Sequence, residues 1–207
     1  MWIEGVSPTE ATGELKELYE RIAGTRGGVA QIHQVQSLNP KVLATHFELY
    51  KALMFQPSPL SRADREAIAV AVSRANSCEY CAAHHGAALE QLGTGSSLAP
   101  EVIEWAARLA STPAQASAAD IRHLRAAGLS DRAILDAVLI VAYFSFANRL
   151  VMGLGLSLEP GFEATCRPDL TARCDARTRS AWRSRRAALL RPRSLRVIEE
   201  TFRASAT

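Results

Sequence analysis

The 207-residue sequence has few strand signals and no apolar run long enough to suggest a membrane span. Its most apolar stretch, Ala137 to Ala147, has 11 residues, whereas a transmembrane helix needs about 20. The first residues, M-W-I-E-G-V-S-P, lack the basic and apolar regions of a secretory signal peptide. We therefore expect a soluble cytoplasmic protein.

Acidic residues are scarce at the end of the chain. Residues 167–207 contain 11 arginines and 4 acidic residues, so this part carries +7 and the other 166 residues carry −4. No aromatic-rich or base-reading motif accompanies the arginines. We expect a helical domain over residues 1–165 and an arginine-rich tail, helical or partly disordered, over residues 166–207. Neither a membrane nor a nucleic acid is the expected partner.

Cysteine is also rare, with four residues in the chain. Two of them, Cys78 and Cys81, have C-x-x-C spacing. Thiols in a reducing cytoplasm stay reduced unless they are catalytic or bind a metal. The spacing therefore indicates a functional pair rather than a structural disulfide.

Helix-start signals, in contrast, are frequent. A mainly apolar helix that begins at Ser130-Asp131 and ends near Leu150 or Met152 is expected at the centre of the core. Together the signals predict an all-α fold. The predicted helices begin at Ser7, Asn39, Ser61, Asn76-Ser77, Pro100, Ser117 and Ser130.

A faint internal repeat is present. Leu60-Ser61 and Leu129-Ser130 each precede an apolar helix, and these helices lead to Asn76 and Asn148. Only the first copy contains cysteines. Ordinary helix-capping chemistry would also produce such a short similarity.

The C-x-x-C pair is predicted at the start of a helix, with Asn76 or Ser77 as the N-cap. Cys78 then lies in the first turn, where backbone N–H groups and the helix dipole favour a thiolate. Helical spacing puts Cys78, Cys81 and His85 on one face. The two cysteines can therefore form a disulfide, and the imidazole can move a proton near neutral pH.

Glu66 lies 12 residues before Cys78, on the preceding predicted helix. If the chain folds back at Asn76-Ser77 as a helix hairpin, Glu66 lies level with His85. The carboxylate would then orient the imidazole and raise its basicity. The alternative is an ordinary glutamate on the surface.

Three interpretations of the cysteines compete. A thiol–disulfide redox site fits the helix start, the spacing and the nearby base. A structural zinc site would use both cysteines and one of His84 and His85, and would need another ligand such as Cys166 or Cys174. The third interpretation is a pair of inert buried thiols. The residues alone favour the redox site.

The spacing of these groups resembles the signature E-x11-C-x-x-C-x3-H of the AhpD-like alkylhydroperoxidases, in the carboxymuconolactone decarboxylase superfamily. The matching residues are Glu66, Cys78, Cys81 and His85. The surrounding sequences are similar to the branch called peroxidase-related enzymes, and the resemblance covers about residues 1–165. These sequences are residues 39–55, 59–85 and 143–155.

The resemblance implies an all-α fold built on a helix hairpin and assembled as a trimer or hexamer. It implies that Cys81 attacks the peroxide, that Cys78 resolves the product, and that His85 and Glu66 relay protons. The helix dipole alone favours Cys78 as the more acidic thiol, so a swap of the two roles is the alternative. Tyr80 departs from the family, since the best-characterised members have a histidine there.

We therefore expect a thiol-dependent hydroperoxidase that needs neither a metal nor a bound cofactor. His84 is a possible secondary site residue, as is Tyr80. The expected partners are a hydroperoxide, a dithiol reductant of the lipoyl- or thioredoxin-like protein type, and further copies of the chain. One alternative is a decarboxylase that acts on a muconolactone-type lactone, which would not need a dithiol. Another is a non-enzymatic redox-sensing or zinc-binding module.

Overall fold

The computed structural model describes residues 1–24, 28–160 and 162. The chain divides into the units Met1–Cys166 and Arg167–Thr207, and the described residues all belong to the first unit. The tail over residues 166–207, with Cys166 and Cys174, lies outside the described residues. The predicted boundary at residue 165 stays a prediction.

The described part of the chain is all-α and contains no β-strand. Three features set the helix limits: side-chain caps, prolines in the first turn and residues of positive φ. The helices are α1 (Gly13–Ala23), α2 (Gln31–Gln34), α3 (Pro40–Phe55), α4 (Arg62–Ala75), α5 (Glu79–Gln91), α6 (Pro100–Ser111), α7 (Ala118–Ala126) and α8 (Asp131–Gly153).

The first helix begins later than the sequence predicts. The residues from Ser7 to Glu10 form a turn, in which the Ser7 hydroxyl donates to the Glu10 carboxylate at 2.6 Å. The helix itself starts at Gly13, whose φ of +53° prevents a continuous helix from Ser7. The other predicted helices begin within about three residues of their expected positions.

Helix α4 packs against α5, α6 and α8, and its first turn is firmly held. Ser61 and Asp64 form a reciprocal capping box. The Asp64 carboxylate also accepts a hydrogen bond from the backbone N–H of Ser97 at 2.7 Å. The loop before α6 is therefore tied to the start of α4, which carries the acidic residue of the predicted site.

Helix α8 is the central helix. Ala137, Ile140 and Phe144 on this helix are almost fully buried. By length and composition α8 could cross a membrane, but 56% of its most apolar window is buried inside the fold. The core helix of a soluble protein has the same properties, and α8 packs against α4 and α6 in this way.

Candidate functional site

The turn between α4 and α5 positions the cysteines. The backbone N–H of Ser77 donates to the carbonyl of Arg74 at 3.0 Å, and that of Cys78 to the carbonyl of Ser73 at 2.8 Å. These two bonds form a Schellman motif, in which Ser77 has a φ of +57°. Ser77 directly precedes the first cysteine, and among the described residues it is the non-glycine residue with a positive φ.

The predicted N-cap is wrong by one or two residues. Asn76 is the C-cap of α4, and Cys78 itself is the N-cap of α5, which begins at Glu79. The reason is the Schellman motif, because it uses Asn76 and Ser77 to end α4. Cys78 is thus at the cap rather than in the first turn, and its sulfur lies beside the first N–H groups of α5.

Both thiols are reduced and buried. Cys78 is 2% exposed and Cys81 is 4% exposed. The Cys81 thiol donates a hydrogen bond to Cys78 and lowers the pKa of Cys78 to about 7, although burial opposes this change. Backbone N–H groups of Cys81 and Tyr80 lower it further.

The same hydrogen bond has the opposite effect on the second cysteine. Donation to Cys78, burial and the negative charge of Cys78 all raise the pKa of Cys81. Because the two groups interact strongly, the pair titrates as a unit. Of the two sulfurs, Cys78 is therefore the one that loses its proton first, with a pKa of about 7, while Cys81 keeps its proton.

The hairpin brings Glu66 to His85. The Nδ1–H of His85 donates to Oε2 of Glu66 at 2.6 Å. The Glu66 side chain is 0% exposed, so it is not a surface glutamate. The His85 ring also lies edge-on to Phe144, with 4.5 Å between the ring centroids. The imidazole orientation is therefore fixed by a carboxylate and by an aromatic ring.

Arg62 completes the environment of Glu66, and the sequence analysis did not identify it. Its Nε donates to Oε1 of Glu66 at 2.8 Å, and its Nη2 contacts the same oxygen. Burial raises the pKa of Glu66, but the hydrogen bond and charge of His85 and the charge of Arg62 outweigh it, so the net pKa is lowered. The i,i+4 spacing of Arg62 and Glu66 was the available signal.

Asn148 is a second residue that sequence reasoning did not assign to the site. It is 0% exposed, and its side chain forms hydrogen bonds with both Cys78 and Cys81 that lower their pKa. Its Oδ1 accepts from Nδ2 of Asn76 at 3.0 Å. The two asparagines of the faint repeat therefore meet beside the dithiol, and the repeat was the only sequence signal.

Tyr80 and His84 lie on another side of α5 and share one carboxylate. The Tyr80 hydroxyl donates to Oε1 of Glu159 at 2.6 Å, and Nε2 of His84 lies 3.0 Å from Oε2. Burial raises the pKa of Glu159, but hydrogen bonds from His84, Gln31 and Tyr80 outweigh this and hold it well below its usual range. Tyr80 and His84 thus pair with Glu159, whereas His85 pairs with Glu66.

In the described residues, no cluster of three or more histidine, cysteine or acidic side chains is arranged to hold a metal ion. Cys166 and Cys174, the further ligands considered for a zinc site, lie outside those residues. The arrangement that is present consists of a buried dithiol with one acidified thiol and a carboxylate–imidazole pair on the same hairpin. Such groups can exchange electron pairs and protons with a small molecule.

Comparison with known proteins agrees with this architecture. Residues 40–121 match the carboxymuconolactone decarboxylase family. An uncharacterized peroxidase-related protein from Silicibacter sp. TM1040 is 27% identical, with a TM-score of 0.67, and the match covers 74% of this chain and 89% of that one. The search of curated proteins finds no match.

Two further structures share the fold at lower identity. One is an uncharacterized peroxidase-related protein with an alkylhydroperoxidase AhpD core from Ralstonia eutropha JMP134 (22% identity, TM-score 0.69, covering 81% of this chain and 97% of that one). The other is the debrominase Bmp8 (19% identity, TM-score 0.59, covering 74% and 90%). The family match over residues 40–121 and the shared fold support the AhpD-like, carboxymuconolactone decarboxylase superfamily for this chain.

Proposed function

We propose that the protein is a thiol-dependent alkylhydroperoxidase-like enzyme, which reduces hydroperoxides through a Cys78–Cys81 dithiol/disulfide cycle. The observation that carries the proposal is the hydrogen-bonded pair of reduced thiols, whose Cys81 lies one helical turn before the His85 that pairs with Glu66. The dithiol supplies two electrons, and the imidazole supplies and takes protons.

The first step consumes the peroxide. The proton shared by the two sulfurs moves to Cys78, which leaves a thiolate on Cys81 without adding a second negative charge. The Cys81 sulfur attacks the terminal oxygen of R–O–OH, an S–O bond forms and the O–O bond breaks. The leaving alkoxide takes a proton from His85 and departs as an alcohol, while Glu66 stabilises the imidazolium before its proton is lost.

The second step converts the sulfenic acid of Cys81 into a disulfide with Cys78. Cys78, which gained a proton in the first step, gives it to the neutral His85, and its thiolate attacks the sulfenic sulfur of Cys81. The S–O bond breaks, and the leaving hydroxide takes that proton and departs as water. The net reaction converts ROOH and two thiols into ROH, water and a disulfide. An external dithiol, such as a lipoyl- or thioredoxin-like protein in the cytoplasm, reduces the disulfide by exchange.

The reverse order of attack is the competing form of this proposal. The hydrogen bond from Cys81 and the adjacent N–H groups favour the resting thiolate on Cys78. Attack by Cys81 follows the family resemblance. If Cys78 attacks first, the same overall chemistry results, but the sulfenic acid forms on the other sulfur.

The test is a dithiol-driven assay of peroxide consumption. We expect turnover in wild type, a trappable sulfenic acid in Cys78→Ser and no reaction in Cys81→Ser. The double variant Cys166→Ser/Cys174→Ser is the matched control and should retain turnover. Sulfenic acid only in Cys81→Ser would reverse the roles, and equal turnover in all variants would remove the dithiol from the mechanism.

The same samples separate the other functions on this fold. Consumption of a muconolactone-type substrate, undiminished in Cys78→Ser, would favour a decarboxylase. Since the structural relative Bmp8 is named a debrominase and a variant of it has been crystallised with 2,3,4-tribromopyrrole, this bromopyrrole is a useful additional substrate. Turnover of a bromopyrrole without turnover of any hydroperoxide would replace the peroxidase proposal.

We also propose a homo-oligomer, a trimer or hexamer. Helix α8 supports it, because its solvent-facing side exposes large apolar residues, in contrast with the buried side. Light scattering on wild type and on Phe146→Glu tests this proposal, and a wild-type monomer would contradict it. The exposed residues are Leu135, Leu139, Phe146 and Met152.

A further inference from the structure

The dithiol is covered by the chain that continues from α8. Cys78 and Cys81 form a small apolar cluster with Val151 at the end of α8 and with Leu156 just beyond it. Leu156 is itself buried, and Leu154 packs against the same cluster. Both cysteines are therefore screened from bulky molecules, in part by residues 154–159, which we call the covering segment.

The near end of the covering segment is fixed by a second Schellman motif. The backbone N–H of Leu156 donates to the carbonyl of Val151 at 3.0 Å, and Gly155 has a φ of +61°. A side chain at Gly155 would collide with the indole of Trp2. The N–H of Trp2 donates to the carbonyl of Leu154 at 2.9 Å.

The far end is held by one carboxylate. Glu159 accepts hydrogen bonds from the Tyr80 hydroxyl at 2.6 Å and from the backbone N–H of Gln31 at 2.8 Å, and it lies 3.0 Å from His84. Tyr80 stands between the two cysteines in the sequence, and it is buried in the same cluster. Glu159 thus connects the covering segment to the helix that carries the dithiol.

These contacts form a second carboxylate–histidine pair, in which His84 of α5 lies beside Glu159, separate from the pair of Glu66 and His85. The two pairs differ in exposure: the Glu66 side chain is 0% exposed, whereas the Glu159 side chain is 24% exposed. A charge that can regain water is easier to release than a fully buried one. Glu159 is therefore suited to a contact that opens, and Glu66 to one that stays formed.

We propose that Glu159 is a specificity-determining residue, which controls by size the molecules that reach Cys78 and Cys81. It holds the covering segment and Tyr80 in place, so that small oxidants enter while bulky molecules enter only after its contacts break. The inference rests on the proposed function in that it concerns the same dithiol. Glu159 acts through Tyr80 and the covering segment, and it is not itself a reacting group.

The test compares two reagents of the same chemistry and different size. Reduced Cys166→Ser/Cys174→Ser protein is labelled with the small reagent N-methylmaleimide and with the bulky reagent N-(1-pyrenyl)maleimide. The measured quantity is the labelling rate with the bulky reagent divided by the rate with the small one. We expect this ratio to rise at least tenfold in Glu159→Ala. The matched control is Glu90→Ala, which removes an exposed glutamate of α5 that lies outside the covering segment, and its ratio should stay within twofold of wild type.

Tyr80→Phe is the second variant, because it removes only one of the three contacts and preserves the packing of the ring. We expect its ratio to rise about threefold. An unchanged ratio in Glu159→Ala, with unchanged circular dichroism, overturns the proposal. If Glu159→Ala does not fold, an unchanged ratio in Tyr80→Phe overturns it instead.

The labelling experiment is independent of peroxide turnover. If the wild-type protein consumes no peroxide but Glu159→Ala shows the tenfold change in the labelling ratio, the proposed size control stands and the proposed function is refuted. If the wild-type protein consumes peroxide but Glu159→Ala leaves the labelling ratio unchanged, the proposed function stands and the proposed size control is refuted.

Discussion

Replacement of Arg62 by glutamine should destabilise the fold at neutral pH and much less at acid pH. Glu66 is a fully buried carboxylate with two cationic partners, Arg62 and His85. The variant removes one partner and leaves the charge in place. It also removes the guanidinium that lies 3.9 Å from the centre of the Phe55 ring.

The expected size follows from these contacts. Removing one member of a buried ion pair costs about 3–5 kcal/mol. Arg62 is 25% exposed and His85 remains bound, so we take the lower end, about 3 kcal/mol, with the lost cation–π contact included. Against a total stability of roughly 5–15 kcal/mol, such a loss is readily measured.

The pH dependence has a defined sign. The folded pKa of Glu66 lies below its ordinary value of 4.5, so its charge stabilises the fold above that pH. This stabilisation is lost as the pH falls through the folded pKa. In Arg62→Gln one cause of the lowered Glu66 pKa is missing, so Glu66 takes up a proton more readily than in wild type. The difference in the free energy of unfolding between the two proteins should therefore shrink below about pH 4.5.

The assay is urea unfolding of both proteins at pH 7 and pH 4. Arg132→Gln is the matched control, since Arg132 has the same i,i+4 spacing to Asp136 but is 64% exposed. We expect it to cost less than about 1 kcal/mol. An equal loss for Arg62→Gln at both pH values would refute the reasoning, because the loss would then come from packing rather than from charge.

Four other results are expected. Glu66→Gln should lower peroxide turnover and change its pH–rate profile, and an unchanged profile would dismiss the proton relay. The rate of maleimide labelling should rise through about pH 7, the pKa of Cys78, whereas a rise only near pH 9 would contradict the hydrogen-bonded thiolate. Asn148→Ala should shift the thiolate absorbance near 240 nm to higher pH, since a donor to sulfur is lost, and an unshifted titration would exclude that role. Ser77→Gly should raise stability by up to about 1 kcal/mol in thermal or urea unfolding, and a lower stability would mean that the serine side chain outweighs its backbone strain.

Much of the fold could be predicted because its signals are local. Ser61 with Asp64 marks the start of α4, and Pro40 marks the start of α3, through backbone groups only a few residues away. The pairing of Glu66 with His85 could also be predicted. It required only a hairpin at Asn76-Ser77 and equal helix lengths on its two sides.

The rest of the site depends on contacts that sequence spacing does not encode. Asn148 reaches the dithiol from α8, more than 60 residues along the chain, and Glu159 reaches Tyr80 from the covering segment. Neither position carries a motif that distinguishes it from an ordinary polar residue. The position of Cys78 at the cap was missed for a different reason, because a left-handed serine ends α4 where a glycine is the usual signal.

The left-handed Ser77 also bears on local motion near the dithiol. A non-glycine residue in this conformation costs about 1–2 kcal/mol, and that cost is recovered whenever the turn opens. The opening free energy of the α4–α5 turn should therefore lie below that of the α8 core. In native-state hydrogen exchange, the amides of Ser77 and Cys78 should exchange before that of Ile140. The buried cysteines would then belong to one of the first units of the fold to fluctuate.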